Sequence, residues 1–347
     1  MKSLIISSMA FLLFIGSCQD DEMNNNSNIG GNQWLVPKDE VLDGGPGKDG
    51  IPAIDNPQFV NVAEVQYLTD NDLILGFADG EDIRAYSHPI LNWHEIVNDD
   101  TQNHSIAVIY CPLTGTGIGW DRMVNNTKTT FGVSGLLYNS NIIPYDRLTD
   151  SNWSQLMMRS INGEMIGNQP NSYSLIETTW KTWRQMYPNS QVLSTNTGFN
   201  RNYGHYPYGS YRSSTHLIFP VNHTDDRLHP KERVLAVFFG NRLITFAFDL
   251  FDDNLSVVND EFVVAGSRDL NLMVAYRRVL DGTTLEFSPI QDQLPVIMQD
   301  NEGNQWDVFG RAVSGPRQGQ SLPDVTQMMG YWFAFAAFYP NLELFEP

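Results

Sequence analysis

The feature that most constrains this chain is self-similarity between two stretches of it. Leu73 to Tyr86 (LILGFADGEDIRAY) holds two apolar runs around Asp79-Gly80, and Val234 to Phe246 (VLAVFFGNRLITF) has the same shape around Gly240-Asn241. Asn98-Asp99 is echoed by Asn259-Asp260, Ile106 to Tyr110 by Phe262 to Gly266, and Trp120 by Tyr276. Further on, Trp153 is matched by Trp306, Gly163 by Gly315, Leu175 by Leu322 and Trp180 by Trp332. Tyr187-Pro188-Asn189 returns as Tyr339-Pro340-Asn341. The order is kept and the spacing drifts by only a few residues. Recurrence of this kind predicts two copies of one unit, over residues 57–196 and 233–347, joined by a connector at 197–232.

Each unit reads mainly as short strands. Ile106 to Cys111 is rich in β-formers, Gly115, Gly117 and Gly119 suggest a bulge or turn, and Thr129 to Tyr138 reads as a strand. Ser154 to Ile166 carries a hairpin signal at Asn162-Gly163. Leu175 to Met186 spaces Ile176, Thr179, Trp180 and Trp183 as a helix would, and Pro188 ends it. The two Trp read as core. The expected fold is mainly β with a few short helices, in an internally duplicated, two-lobed β-rich architecture. A cleft between the copies is a usual place for a ligand.

The first residues read as an export leader. Lys2 supplies the positive start, Leu4 to Ile15 an apolar stretch too short to span a bilayer, and Ile15-Gly16-Ser17-Cys18 matches the lipobox of bacterial lipoproteins. Cleavage of residues 1–17 and lipidation of Cys18 are expected, and several acyl chains at about 0.8 kcal/mol per buried CH₂ would anchor the chain to a membrane. An ordinary leader with an incidental cysteine is the competing reading. The acidic run Gln19-Asp20-Asp21-Glu22 resembles the surface-export signal of Bacteroidota lipoproteins. The expected location is therefore the outer membrane, facing the cell surface. Residues 18–56, rich in Asn, Asp, Gly and Pro, read as a flexible tether. Within it GGPGKDG fails as a phosphate loop, because Asp49 follows Gly47-Lys48 and Leu42 stands where the first glycine is required.

A formal charge of −19 argues against a nucleic-acid partner. The two cysteines, Cys18 and Cys111, exclude a disulfide scaffold. Polar residues found in one copy alone are the candidates for function. His94-Glu95 stands where the second copy has Leu255-Ser256, and Cys111 stands at about Ser267. Three readings of Cys111 stay open. It is a buried small hydrophobe, or a Cu or Zn ligand with His94 and His88, or a nucleophile with His94 as base and Glu95 or Asp99 orienting it. Cys111-Pro112-Leu113-Thr114 has the frame of a dithiol motif but lacks the second thiol, so disulfide exchange within it is excluded. Gly115-x-Gly117-x-Gly119 is followed by Trp120 and is no dinucleotide loop.

The connector carries Arg201, Tyr203, His205, Tyr206, Tyr208, Tyr211, Arg212, His216 and His223 and has no counterpart in the repeat. It reads either as a structured linker or as an aromatic wall, through Arg201, Tyr203, His205 and Tyr208, suited to a small-molecule, glycan or protein ligand.

Several motifs resemble the bacterial and archaeal family called domain of unknown function 3179. They are Lys48 to Ile54 (KDGIPAI), His94 to Asp99 (HEIVND), Tyr110 to Gly115 (YCPLTG), Phe131 to Tyr138 (FGVSGLLY), Tyr145-Asp146-Arg147 with Trp153-Ser154-Gln155, and Leu193-Ser194 through Thr197-Gly198. The resemblance covers most of 40–343 and implies no particular activity. It points at His94, Glu95, Asp99, Cys111, Ser134, Tyr145 and Asp146. The expectation is one ligand or metal site in the first copy around His94 and Cys111, with a thiol enzyme and a connector-based binding module as alternatives.

Overall fold

The computed structural model describes residues 33–346, so the leader and Cys18 lie outside the described residues. The fold is mainly β, and the two halves present the same kinds of sheet in the same order. The first is a hairpin sheet. In the N-terminal half the strands run Ile176–Thr179, Leu73–Asp79, Asp82–Ser87, Gln191–Leu193 and Phe59–Asn61 across it. In the C-terminal half they run Thr326–Tyr331, Arg233–Phe239, Arg242–Ala247 and Glu343–Leu344. Each central hairpin turns where the sequence predicts, with Gly80 and Gly240 both at φ near +60°.

Next comes a three-stranded meander, Ile96–Asp100, Ser105–Cys111 and Thr116–Asp121, to which Ser172–Tyr173 adds a fourth strand, matched by the three strands Ser256–Asn259, Phe262–Ser267 and Leu272–Arg277. A four-stranded meander follows, Phe131–Tyr138, Asn141–Asp146, Asn152–Ser154 and Arg159–Asn162. Its match is Phe287–Pro289, Val296–Asp300, Gln305–Asp307 and Ala312–Ser314.

Three short helices complete the fold: α1 (His88–His94), α2 (Trp180–Met186) and α3 (Trp332–Phe338). Helix α2 is shorter than the periodicity predicts. Ile176, Thr178 and Thr179 are β-branched, and Ile176–Thr179 pairs with Gly76 to Leu73 as a strand. Thr179 then caps the helix, its hydroxyl accepting from the Thr182 amide at 3.2 Å. The hairpin expected at Asn162-Gly163 turns earlier, over Gln155 to Met158. Gly117 and Gly119 lie within a regular strand. A Cβ there would run into Leu75 and Ile106, so these glycines serve close sheet packing. Leu322 falls before its strand, out of step with Leu175.

The hydrophobic core explains this arrangement. One face of the N-terminal hairpin sheet, through Leu75, Phe77 and Tyr86, packs on Ile106 and Val108 of its own half. Its other face, through Ile74, Ala85 and Ile176, joins Trp180 and Trp183 of α2 against Val263, Val274 and Trp306 of the C-terminal half. The second hairpin sheet does the converse. Leu235, Val237 and Phe246 pack on Phe262 and Val264. Val234, Ala236 and Met328, with Trp332 and Phe335 of α3, pack on Ile109, Ile118, Phe131 and Trp153 of the N-terminal half. The halves therefore share two cores.

Residues 33–56 lie against the N-terminal half. Leu42 and Asp43 pair with Leu137 and Leu136, and Ile54 is buried beside Val97. Among the described residues no helix is long and apolar enough to cross a membrane.

Gly76 tests the shared core, because a Cβ there would enter the Trp183 ring. Gly76→Ala is expected to destabilise the whole chain by about 1–3 kcal/mol through overpacking, seen as a lower urea midpoint in one transition. A separate early transition would contradict a shared core.

Candidate functional site

The site begins at the end of α1. His88 and Pro89 open this helix and His94 closes it. Glu95 then takes φ 59° and ψ −36°, a conformation that costs a non-glycine residue of order 1 kcal/mol and needs surrounding support. The support is visible. The Glu95 amide donates to Leu91 O at 2.8 Å, and its carbonyl accepts from the Tyr110 amide at 2.7 Å. The reversal turns the chain into Ile96–Asp100 and brings the Glu95 side chain beneath the connector, near the end of the strand that carries Cys111.

His94 is fully used elsewhere. Its Nδ1 lies 2.7 Å from Pro52 O, and its Nε2 lies 2.7 Å from the Tyr203 hydroxyl. A carbonyl only accepts, so Nδ1 carries the proton and Nε2 accepts from Tyr203. Thr197 holds the Tyr203 hydroxyl from its other side at 2.5 Å. Burial lowers the pKa of His94 and keeps the ring neutral. Neither nitrogen is free to take a proton from Cys111.

Cys111 is buried, its Sγ facing Ser140 O at 3.8 Å. Burial, and after it the neighbouring Glu95 charge, push the thiol up to about 11, against hydrogen bonds from Thr114. Burial pushes the Glu95 carboxyl up to about 8. At neutral pH both groups are protonated. One Glu95 carboxyl oxygen is buried without a hydrogen-bond partner, an arrangement that costs about 1–3 kcal/mol where nothing satisfies it. Glu95 lines a cavity of about 70 Å³ whose other walls include Leu113, Val133, Ile142, Tyr208 and Phe219.

Tyr208 and Phe219 belong to the connector, which is tied down over this place. Tyr211 donates to Leu113 O at 3.0 Å and Ser140 to Phe219 O at 2.7 Å. Lys231, buried, donates to Ser214 O and His216 O at 3.2 and 3.0 Å and lies 3.6 Å from the Tyr211 ring centre.

A family model described as "Protein of unknown function (DUF3179)" matches residues 48–342. The chain belongs to this family. No curated protein and no solved structure matches it.

The DUF3179 motifs fall into separate neighbourhoods. Asp99 accepts from Arg84 at 2.6 Å and from the Tyr86 hydroxyl at 2.6 Å, fixing the hairpin sheet to the first meander. Ser134 donates to Ile143 O at 2.5 Å within an irregular strand pair. Asp146 accepts from the Trp153 indole at 2.9 Å and from the Thr149 amide at 2.7 Å. Tyr145 donates to Asp49 at 2.5 Å, while Arg147 spans Asp49 and Asp55, so the KDGIPA segment is pinned to the second meander. Arg201 lies over the Trp93 ring, and the His205 carbonyl accepts from the Trp93 indole at 3.2 Å. Of the sequence candidates, Glu95, Cys111 and Tyr208 come together.

Among the described residues of the DUF3179 chain, no group of three or more His, Cys, Asp or Glu is placed to hold a metal ion. A Cu or Zn ion at His94 and Cys111 has no such ligand set.

Sequence reasoning missed one buried cluster in the DUF3179 fold. Glu177, on the strand it read as helix, lies between His88 Nε2 at 3.3 Å and the Arg233 guanidinium of the C-terminal half. Burial alone would raise this carboxyl, but Arg233 and His88 hold it below the usual carboxylate range. Burial pulls His88 down. The one available signal was Glu177 itself, the lone acid within Leu175 to Met186.

In a form beginning at Gln19, where Cys111 is the remaining thiol, iodoacetamide at pH 8 is expected to leave the native protein unlabelled. Labelling should rise only with unfolding in guanidinium. Alkylation of the folded chain at the rate of a free thiol would contradict the protonated, enclosed state described above.

Proposed function

We propose that this chain is an exported lipoprotein that binds one small neutral ligand in the Glu95 cavity and does not turn it over. In this reading it is held through Cys18 at the outer membrane of a Bacteroidota-like bacterium and faces the cell surface. The two halves are copies of one ancestral unit, a reading supported by the shared order of their sheets. The observation that carries the binding reading is the Glu95 carboxyl. It is buried, protonated, and left with an unpaired oxygen on the wall of a cavity that is otherwise apolar but for Tyr208. A protonated carboxyl offers one donor and one acceptor side by side, which a primary amide matches in two hydrogen bonds. Cys111, fully buried in the core behind this cavity with its pKa at about 11, serves as a small apolar packing residue and not as a nucleophile.

The sign of the pH dependence follows from Glu95. Its pKa of about 8 in the folded chain lies above the usual 4.5, so between these values the folded protein holds a proton the unfolded chain has lost. This contribution to stability is fully present below pH 4.5 and fades as pH rises through 8. Glu95→Gln is therefore expected to raise the melting temperature by several degrees at pH 8 and to change it little at pH 5.

Propionamide is the probe for the site. Ligand-observed NMR should show binding at pH 6 that is lost above pH 8. The loss with pH should vanish in Glu95→Gln, and binding should be abolished in Glu95→Leu. Absence of binding at pH 6, or binding that survives Glu95→Leu, would sink the reading.

Anchoring has its own test. Cys18→Ala, expressed with the leader in place, is expected to move the protein from the membrane fraction to the soluble fraction. Retention in the membrane would rule out lipidation as the anchor.

A further inference from the structure

A second opening lies where the two halves meet, away from the Glu95 cavity. It has a volume of about 320 Å³. One wall comes from the N-terminal half, through Phe77, His104 and Tyr173, whose rings meet edge to face at 5.1 to 6.2 Å. The other comes from the C-terminal half, through Phe309, Arg311 and Asp324. The walls are braced to each other. Arg311 donates to Gly80 O at 2.8 Å and Ala78 O at 3.3 Å, and Ser174 donates to Val325 O at 3.4 Å. With both terminal nitrogens of its guanidinium turned onto backbone carbonyls, Arg311 is not presented to a ligand anion.

The carboxyl of Asp324 is the contrasting group. Among the described residues it accepts no hydrogen bond and forms no ion pair, and only its backbone carbonyl is used, by Arg277 at 3.3 Å. His104 faces the Asp79 carboxylate at 3.0 Å, so among the described residues the opening offers aromatic surface on both sides, an unengaged carboxylate and no unpaired cation. The chain's formal charge of −19 adds to the bias against acidic ligands. A pyranose ring meets these conditions. Its C–H face stacks on aromatic rings, its hydroxyls donate to a carboxylate, and it carries no charge. A cleft of this size takes one or two such rings.

We propose that this cleft between the halves binds a neutral oligosaccharide, with Tyr173 and Phe309 as stacking surfaces and Asp324 as the acceptor of sugar hydroxyls. The site exists only because both halves contribute to it, and it is independent of the Glu95 cavity.

Calorimetric titration of the purified protein with maltotriose, cellotriose and tri-N-acetylchitotriose, all uncharged, tests it. At least one is expected to bind with a dissociation constant of about 1 mM or below. Tyr173→Ala should weaken that binding about 10-fold or more. Asp324→Asn, which removes no hydrogen bond within the protein and relieves the burial that raises this carboxyl's pKa, should weaken it about 5-fold with a melting temperature no lower than that of the parent chain. Glu95→Gln and Cys111→Ser should leave it unaltered, which separates this site from the amide site. The proposal is overturned if none of the three sugars binds at about 10 mM, a generous limit for so weak a class of ligand. It is equally overturned if binding persists unchanged in Asp324→Asn and Tyr173→Ala, or if Asp324 is needed for tetramethylammonium binding and the sugars do not compete.

Discussion

The structure depends on two hairpin sheets that have no solvent face. A sheet exposed on one side alternates apolar and polar residues, whereas one covered on both sides reads as a continuous apolar run. Leu73 to Ala78 and Val234 to Phe239 are such runs. Each sheet spends one face on its own half and the other on the opposite half, with α2 or α3 filling the second interface. Each half keeps one core of its own and shares two others, so the halves are joined by burial and not only by the connector. Arg233 and Glu177 add a charged tie at the same seam. Removing one partner of such a pair would leave an uncompensated buried charge, a cost of about 3–5 kcal/mol, whereas the intact pair contributes far less.

This arrangement explains what could and could not be read from the chain. The two hairpins were legible because a glycine turn between apolar runs is a local signal, and Trp180 and Trp183 read correctly as core. The sharing of cores was not legible. Nothing in Ile74 or Ala85 marks the opposite half as their partner, since the apolar pattern records burial and not what covers it. Glu177 was misplaced for a related reason. Spacing of Ile176, Thr179, Trp180 and Trp183 fits a helix, but pairing with Leu73 to Gly76 competes for the same backbone groups, and tertiary pairing prevailed over local periodicity. At the site, the sequence pointed at His94 and Glu95 as neighbours of Cys111. It could not show that the backbone reverses at Glu95, which sends the two side chains to different surroundings: His94 to Pro52 and Tyr203, and Glu95 to the cavity.

The corresponding place in the C-terminal half sharpens the meaning of that cavity. Ser267 ends its strand where Cys111 ends the other, and Leu255 and Ser256 stand where His94 and Glu95 do. There is no α-helix before Leu255 and no left-handed residue at Ser256. Ser267 donates to Asp253 O at 2.5 Å and accepts from the Leu270 amide at 3.2 Å, so its hydroxyl is satisfied locally. The surrounding space is an open cleft of about 450 Å³, bordered by Leu255, Ser267 and Asp269, and it holds no member of the connector.

The connector therefore does in the N-terminal half something the fold itself does not require. Tyr208 and Phe219 narrow a place that is a wide cleft in one half to a cavity of about 70 Å³ in the other, and Tyr211 and Lys231 anchor that cover. Burial under this cover has a physical consequence for Glu95. A carboxyl beside an open cleft would be hydrated and charged at neutral pH, while the same group under an aromatic cover keeps its proton. The thiol is held protonated by the same burial, which sets it against nucleophilic chemistry. Pairing a strained residue with an unpaired polar atom is destabilising on both counts, and a ligand that satisfied the Glu95 oxygen would offset the second of these costs on binding.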